Sequence, residues 1–144
     1  MSIQQAIITL VSAMISGVVA TIVTLMVSSH KENVKIKKDL VDDIFGYRYQ
    51  IANNSNNAQI NLDINQNQFS RAMNRIPIVF DGNNAVMSAY DKFYDTLTIT
   101  DAKERSFKSD EALIDLLKEL CKAAGIKCSN WNDSRFKRTF SVQK

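Results

Sequence analysis

Positions 1–29 contain no Lys, Arg, Asp, Glu or His, so all 18 basic and all 15 acidic residues of the 144-residue chain fall after them. No other feature restricts the fold as much. Positions 6–27 read AIITLVSAMISGVVATIVTLMV, with Thr and Ser as the only polar residues. At about 1.5 Å per residue this stretch makes a helix of about 33 Å, enough to cross the ~30 Å hydrocarbon core of a bilayer. A helix satisfies its own backbone hydrogen bonds in lipid, and Ser and Thr hydroxyls can bond back to carbonyls one turn earlier. The core helix of a soluble protein rarely runs so far without a charge. A cleaved signal peptide would bring a basic leading region and an apolar stretch of about 7 to 15 residues; this segment has no such basic region and is longer.

The residues flanking the span set its direction. No Lys or Arg precedes it, whereas Lys31, Lys35, Lys37 and Lys38 come directly after. The positive-inside rule then predicts a single pass through the inner (cytoplasmic) membrane, with the N-terminus outside and the C-terminal part in the cytoplasm. Cys121 and Cys128 would face a reducing compartment and are expected as free thiols. Within the span, Ser12, Ser16, Ala20 and Thr24 form one stripe of small residues, and Ala13, Gly17 and Thr21 form the next. Small residues four apart let transmembrane backbones approach closely. Packing through Ala13, Ser16, Gly17, Ala20 and Thr21 therefore predicts a homo-oligomer.

The expected architecture is all-α: one N-terminal transmembrane helix continuing into a small cytoplasmic helical domain. The divisions are an anchor over 1–29, a helical domain over 30–125 and a basic, aromatic tail over 126–144. With 45% apolar and 23% charged residues the chain is too hydrophobic for wholesale disorder, and the residues after the span suffice for one domain but not two. Residues 31–52 space Val34, Val41, Ile44, Phe45, Ile51 and Ala52 as a helix that can continue the span. Residues 53–68 hold ten Asn or Gln and predict a loop, leading into a helix capped near Asp63. Phe69, Ala72, Met73 and Ile76 line that helix until Pro77 stops it. A further helix runs from Asn83 or Asn84 to about Leu97, burying Val86, Ala89, Tyr90, Phe93, Tyr94 and Leu97. The last has Ser109 as N-cap, a buried face of Leu113, Leu116, Leu117, Leu120, Cys121 and Ala124, and Gly125 at the left-handed C′ position.

Catalytic chemistry is hard to find. There is no phosphate-binding glycine loop, no nucleophile turn, and the single His30 lies at the membrane edge. Cys121 and Cys128 with one histidine do not make a zinc set. A solvated helix face explains each carboxylate. No catalytic residue, metal or cofactor is therefore assigned, and the chain reads as a non-enzyme. Lys35, Lys37 and Lys38 are placed to meet anionic headgroups. From Lys122 onward the local charge is +5, with Trp131, Arg135, Phe136, Lys137, Arg138 and Phe140 interleaved. Those aromatics either cover the core or meet lipid or an acidic partner; a formal charge of only +3 for the chain argues against nucleic acid.

Gly46-Tyr47-Arg48-Tyr49 interrupts an ordinary amphipathic pattern. A helical glycine costs nearly 1 kcal/mol relative to alanine, which predicts that something packs closely against Gly46. The run Asn74-Arg75-Ile76-Pro77-Ile78-Val79-Phe80-Asp81 places a cation and an acid beside apolar residues. Arg48 or Arg75 pairing with Asp81, beside Tyr47, would tie the juxtamembrane helix to the later helices, as a structural tie or a partner site. The apolar span, Gly46-Tyr47-Arg48, the run from Ala72 to Phe80, and Ala89-Tyr90 with Phe93-Tyr94 resemble an uncharacterised family of small bacterial and phage membrane-anchored proteins. That resemblance implies a helical cytoplasmic domain and brings no activity with it. The expected function is a membrane-anchored, self-associating interaction or scaffold module that meets lipid and an unidentified cytoplasmic protein. The alternative is an oligomeric membrane effector, a pore or envelope-perturbing protein of phage conflict or a toxin system.

Overall fold

The structure, a computed structural model, describes residues 3–48 and 62–137. All its regular elements are helices, with no strand among the described residues. The helices are α1 (Ile3–Tyr47), α2 (Leu62–Val79), α3 (Asn84–Thr96), α4 (Ala102–Ala123) and the short α5 (Asp133–Lys137). The chain divides into two compact units, Met1–Lys35 and Ile36–Lys144, so residues 126–137 belong to the same unit as the helices before them.

The first unit is one stretch of α1. It is apolar enough to cross a membrane, and none of its apolar window is buried within the protein. Ile15, Leu25 and Met26 remain 60%, 64% and 67% exposed, so the first unit has no core of its own among the described residues. Thr21 Oγ1 donates to Gly17 O at 2.9 Å and Thr24 Oγ1 to Ala20 O at 2.8 Å. Each of these hydroxyls is thus satisfied by its own helix, which lowers the cost of placing it in hydrocarbon.

The second unit is built on one apolar cluster to which all five helices contribute. Leu40, Val41 and Ile44 of α1 are fully buried, as are Ile76 and Phe80 at the end of α2, Val86 of α3 and Leu116, Leu117 and Leu120 of α4. Phe69, Ala72, Met73 and Ile76 are the buried stripe expected of α2. The helix does not stop at Pro77, however. It runs to Val79, and Phe80 N donates to Ile76 O at 2.9 Å. Burial of both Ile76 and Phe80 holds the last turn against the proline's missing donor. α2 starts at Leu62, close to the start expected near Asp63, so residues 62–68 of the amide-rich stretch are helical. Once a buried stripe stabilises a helix, each added residue costs little. Residues 49–61, with Ile51, Ala52 and most of that stretch, lie outside the described residues.

α3 starts at Asn84, as expected, and Asn83 caps it, accepting from Val86 N at 3.1 Å. The buried stripe is narrower than the sequence implies, since Tyr94 and Leu97 are 60% and 49% exposed and Thr96 turns inward, donating to Phe93 O. α4 begins at Ala102, not after Ser109. Asp101 is its N-cap, accepting from Glu104 N at 2.7 Å, and Lys108 pairs with Glu104 one turn on. Capping and that pair support turns whose residues are almost all exposed. α4 ends as expected, with Gly125 at φ +68°, Ile126 N donating to Cys121 O and Gly125 N to Lys122 O. These two bonds satisfy carbonyls that the helix leaves open.

Candidate functional site

The turn after α4 sends residues 126–137 back onto the second unit. Cys128 and Phe136 are buried there and Trp131 is half-buried. Asn132 Oδ1 accepts from Arg135 N at 2.9 Å, which starts α5, and Lys118 on α4 holds Asp133 at 2.7 Å. That hydrogen bond raises the Lys118 pKa above its ordinary value. Residues 126–137 therefore cover the core, with Phe136 in it.

At the end of α1, Phe45 meets Trp131 edge-on at 5.9 Å between ring centroids, and Phe136 lies 6.1 Å away. Arg48 lies 4.6 Å over the Phe45 ring and donates from Nη1 to the Phe136 carbonyl. Arg135 stacks on the other aromatic, 4.7 Å from the Trp131 centroid. Phe45, Arg48, Trp131, Asn132, Ser134 and Arg135 line one groove. Burial lowers the Arg48 pKa, while nearby Cys121 acts in the opposite direction. Cys121 and Cys128 are free and buried. Burial, followed by a hydrogen bond to Cys128, pushes the Cys121 thiol up to about 12.

The other residues expected to carry function fall elsewhere. Arg75 Nη1 sits 3.3 Å from Asp43 Oδ2, a half-exposed pair that ties α2 to α1. Asp81, the acid expected in that role, is exposed in the turn that Gly82 closes at φ +78°. Tyr47 packs against the core from its edge. Among the described residues Gly46 lacks the close neighbour expected of it, because an added Cβ would meet none of them within 4 Å. Lys37 lies 5.6 Å from the Phe80 ring centroid, whereas Lys35 and Lys38 are exposed. In the span, Ser16, Gly17, Ala20 and Thr21 are exposed on α1, and Met14, Gly17, Val18, Thr21 and Ile22 line a shallow notch. The side chains of Ala13 and Lys137, and Arg138 as a whole, lie outside the described residues. Among the described residues no three His, Cys, Asp or Glu side chains gather as a metal site would need.

Sequence reasoning did not place Phe45, Asn132 or Ser134 in a site. Phe45 and Arg48 stand three apart, the spacing at which helical side chains meet, so that half of the groove had a readable signal. Which aromatics of the tail would face Phe45 had none. The chain belongs to DUF6680, a family of unknown function, whose model matches residues 1–135. No curated protein and no solved structure matches the chain.

Proposed function

We propose, with membership of that uncharacterised family as the premise, that this chain is a membrane-anchored, non-enzymatic interaction module of a bacterial or phage system. The first unit spans the inner membrane once, the N-terminus lies outside, and the helical second unit works in the cytoplasm. Copies associate through the small-residue faces around Gly17, and the assembled bodies receive a cytoplasmic protein.

One observation carries this reading. An apolar helix whose large side chains are about half to two-thirds exposed has no covering among the described residues, and water is a poor solvent for that surface. Lipid covers such a helix, and small-residue faces are where a second copy approaches. Basic residues on the C-terminal side of the span support the orientation.

The experiment is crosslinking in native membranes, wild type against Gly17→Leu. An added Cβ at Gly17 meets nothing within 4 Å among the described residues and the position is exposed, so the variant is expected to leave the protomer folded and to read association. Crosslinked oligomers in the wild type that vanish in Gly17→Leu are expected. Monomers in both remove self-association from the reading. External protease on whole cells should spare the second unit; its digestion reverses the orientation.

A further inference from the structure

Cys121 sits in the last turn of α4, and Cys128 follows the turn at Gly125. Ile126 N donates to Cys121 O at 2.8 Å, and Cys128 N donates in turn to Ile126 O at 3.0 Å. The backbone thereby folds the second cysteine back onto the first. Both are buried in the same apolar cluster, and the Cys121 thiol is hydrogen-bonded to Cys128. Cysteines whose side chains point apart cannot be bridged, whereas these two converge. They differ in access. Cys128 is 9% exposed and lines a pocket of about 510 Å³ beside Lys127 and Ser129. Cys121 is 1% exposed and is not among that pocket's described lining residues. A single buried thiol is inert packing; a thiol at a pocket wall with a second thiol bonded behind it can react as a pair.

We propose that Cys121 and Cys128 form a thiol oxidation site, which a hydroperoxide converts into an intramolecular disulfide that fastens residues 126–137 to α4. The proposal stands independently of the membrane reading and of self-association. With hydrogen peroxide, the Cys128 sulfur first attacks one peroxide oxygen. The O–O bond breaks, Cys128 becomes a sulfenic acid, and the other oxygen leaves as water with the Cys128 proton. The Cys121 sulfur then attacks the Cys128 sulfur, the S–O bond breaks, and the Cys121 proton leaves with the hydroxyl as a second water. Two thiols have lost two electrons and two protons, and one peroxide has become two waters. Access sets the order of these steps: the pocket admits oxidant to Cys128, while burial and the bond to Cys128 keep Cys121 protonated at neutral pH. That same bond holds the resolving sulfur beside the sulfenic acid, so the disulfide closes before a second peroxide takes Cys128 to sulfinic acid.

The test treats the full chain in phosphatidylcholine nanodiscs with hydrogen peroxide, alkylates it in denaturant and digests it with trypsin without reduction. Cleavage after Lys118, Lys122, Lys127 and Arg135 puts the cysteines in separate peptides, 119–122 and 128–135. A bond between them is then read as one linked species, lighter by two hydrogens than its parts. Both thiols should be lost together, the chain should run as a monomer on a denaturing gel without reductant, and dithiothreitol should restore both. In Cys121→Ala, dimedone should trap a sulfenic acid at Cys128; in Cys128→Ala, Cys121 should remain a thiol. The oxidised wild type should melt about 5 °C or more above the reduced protein by circular dichroism, as a crosslink across a short loop predicts. The proposal is overturned if peroxide leaves both thiols intact, if Cys128 reaches sulfinic acid with Cys121 still a thiol, or if the disulfide joins two chains. Oxidation of Cys121 in Cys128→Ala, or an oxidised protein that melts no higher than the reduced one, overturns it as well.

Discussion

An added methyl at Gly46 would meet nothing within 4 Å among the described residues, and the residue sits exposed inside α1. Gly46→Ala should therefore stabilise the fold by roughly 0.5–1 kcal/mol, because alanine loses less chain entropy on entering a helix. Urea denaturation followed by circular dichroism measures it; an unchanged or lowered midpoint would show that Gly46 serves a contact outside the described residues. Cys121 behaves differently. Its thiol pKa rises from 9.0 to about 12, with burial the main cause. The folded state keeps a proton that the unfolded state loses, so this contribution is complete below about pH 9 and is lost as pH climbs towards 12. Thermal melts should show a steeper fall across that window for wild type than for Cys121→Ala. In native protein at neutral pH, Cys121 should resist maleimide until denaturant is added. Pairings such as Arg75 with Asp43 were not legible in the sequence. A long guanidinium stem reaches several acids, and helix packing rather than spacing selects among them.

At the scale of elements, apolar spacing was enough to find α3 and the buried C-terminal half of α4, where each stripe meets the core directly. It failed at boundaries set by other forces. Pro77 marks a stop that burial of Ile76 and Phe80 overrides, and Ser109 looks like a cap although Asp101 already serves eight residues earlier. The pair Asp101 and Glu104 was a readable signal, an acceptor three residues before its donor. The segment 126–137 was the least legible, because its aromatics are paired by contacts distant in sequence. Phe136→Ala should cost about 3–5 kcal/mol, since a fully packed ring leaves a cavity, whereas Phe107→Ala, at a residue 65% exposed, should change stability by less than about 0.5 kcal/mol. Urea midpoints of the two variants decide it, and equal midpoints would mean that this segment does not belong to the core.

For the whole molecule, the division after Lys35 separates a helix whose described apolar side chains are exposed from a unit whose core runs from Leu40 to Phe136. A fragment beginning at Ile36 should keep its helical spectrum, unfold cooperatively and remain in solution. The intact chain should stay in the pellet after alkaline carbonate extraction of membranes. An intact chain released by carbonate would remove the anchor from the proposal, and a fragment without a cooperative transition would show that the body depends on it.

Phe136 closes a core begun at Leu40, and its carbonyl is held by Arg48. A polypeptide is made from its N-terminus, so the charge-free stretch emerges well before residue 136 has been added. On the proposed reading, sorting to lipid is decided while the rest is still an open chain, and the body seals itself last. Translation that stalls before residue 136 would then leave a tethered polypeptide with a bare apolar flank, a ready substrate for membrane proteases.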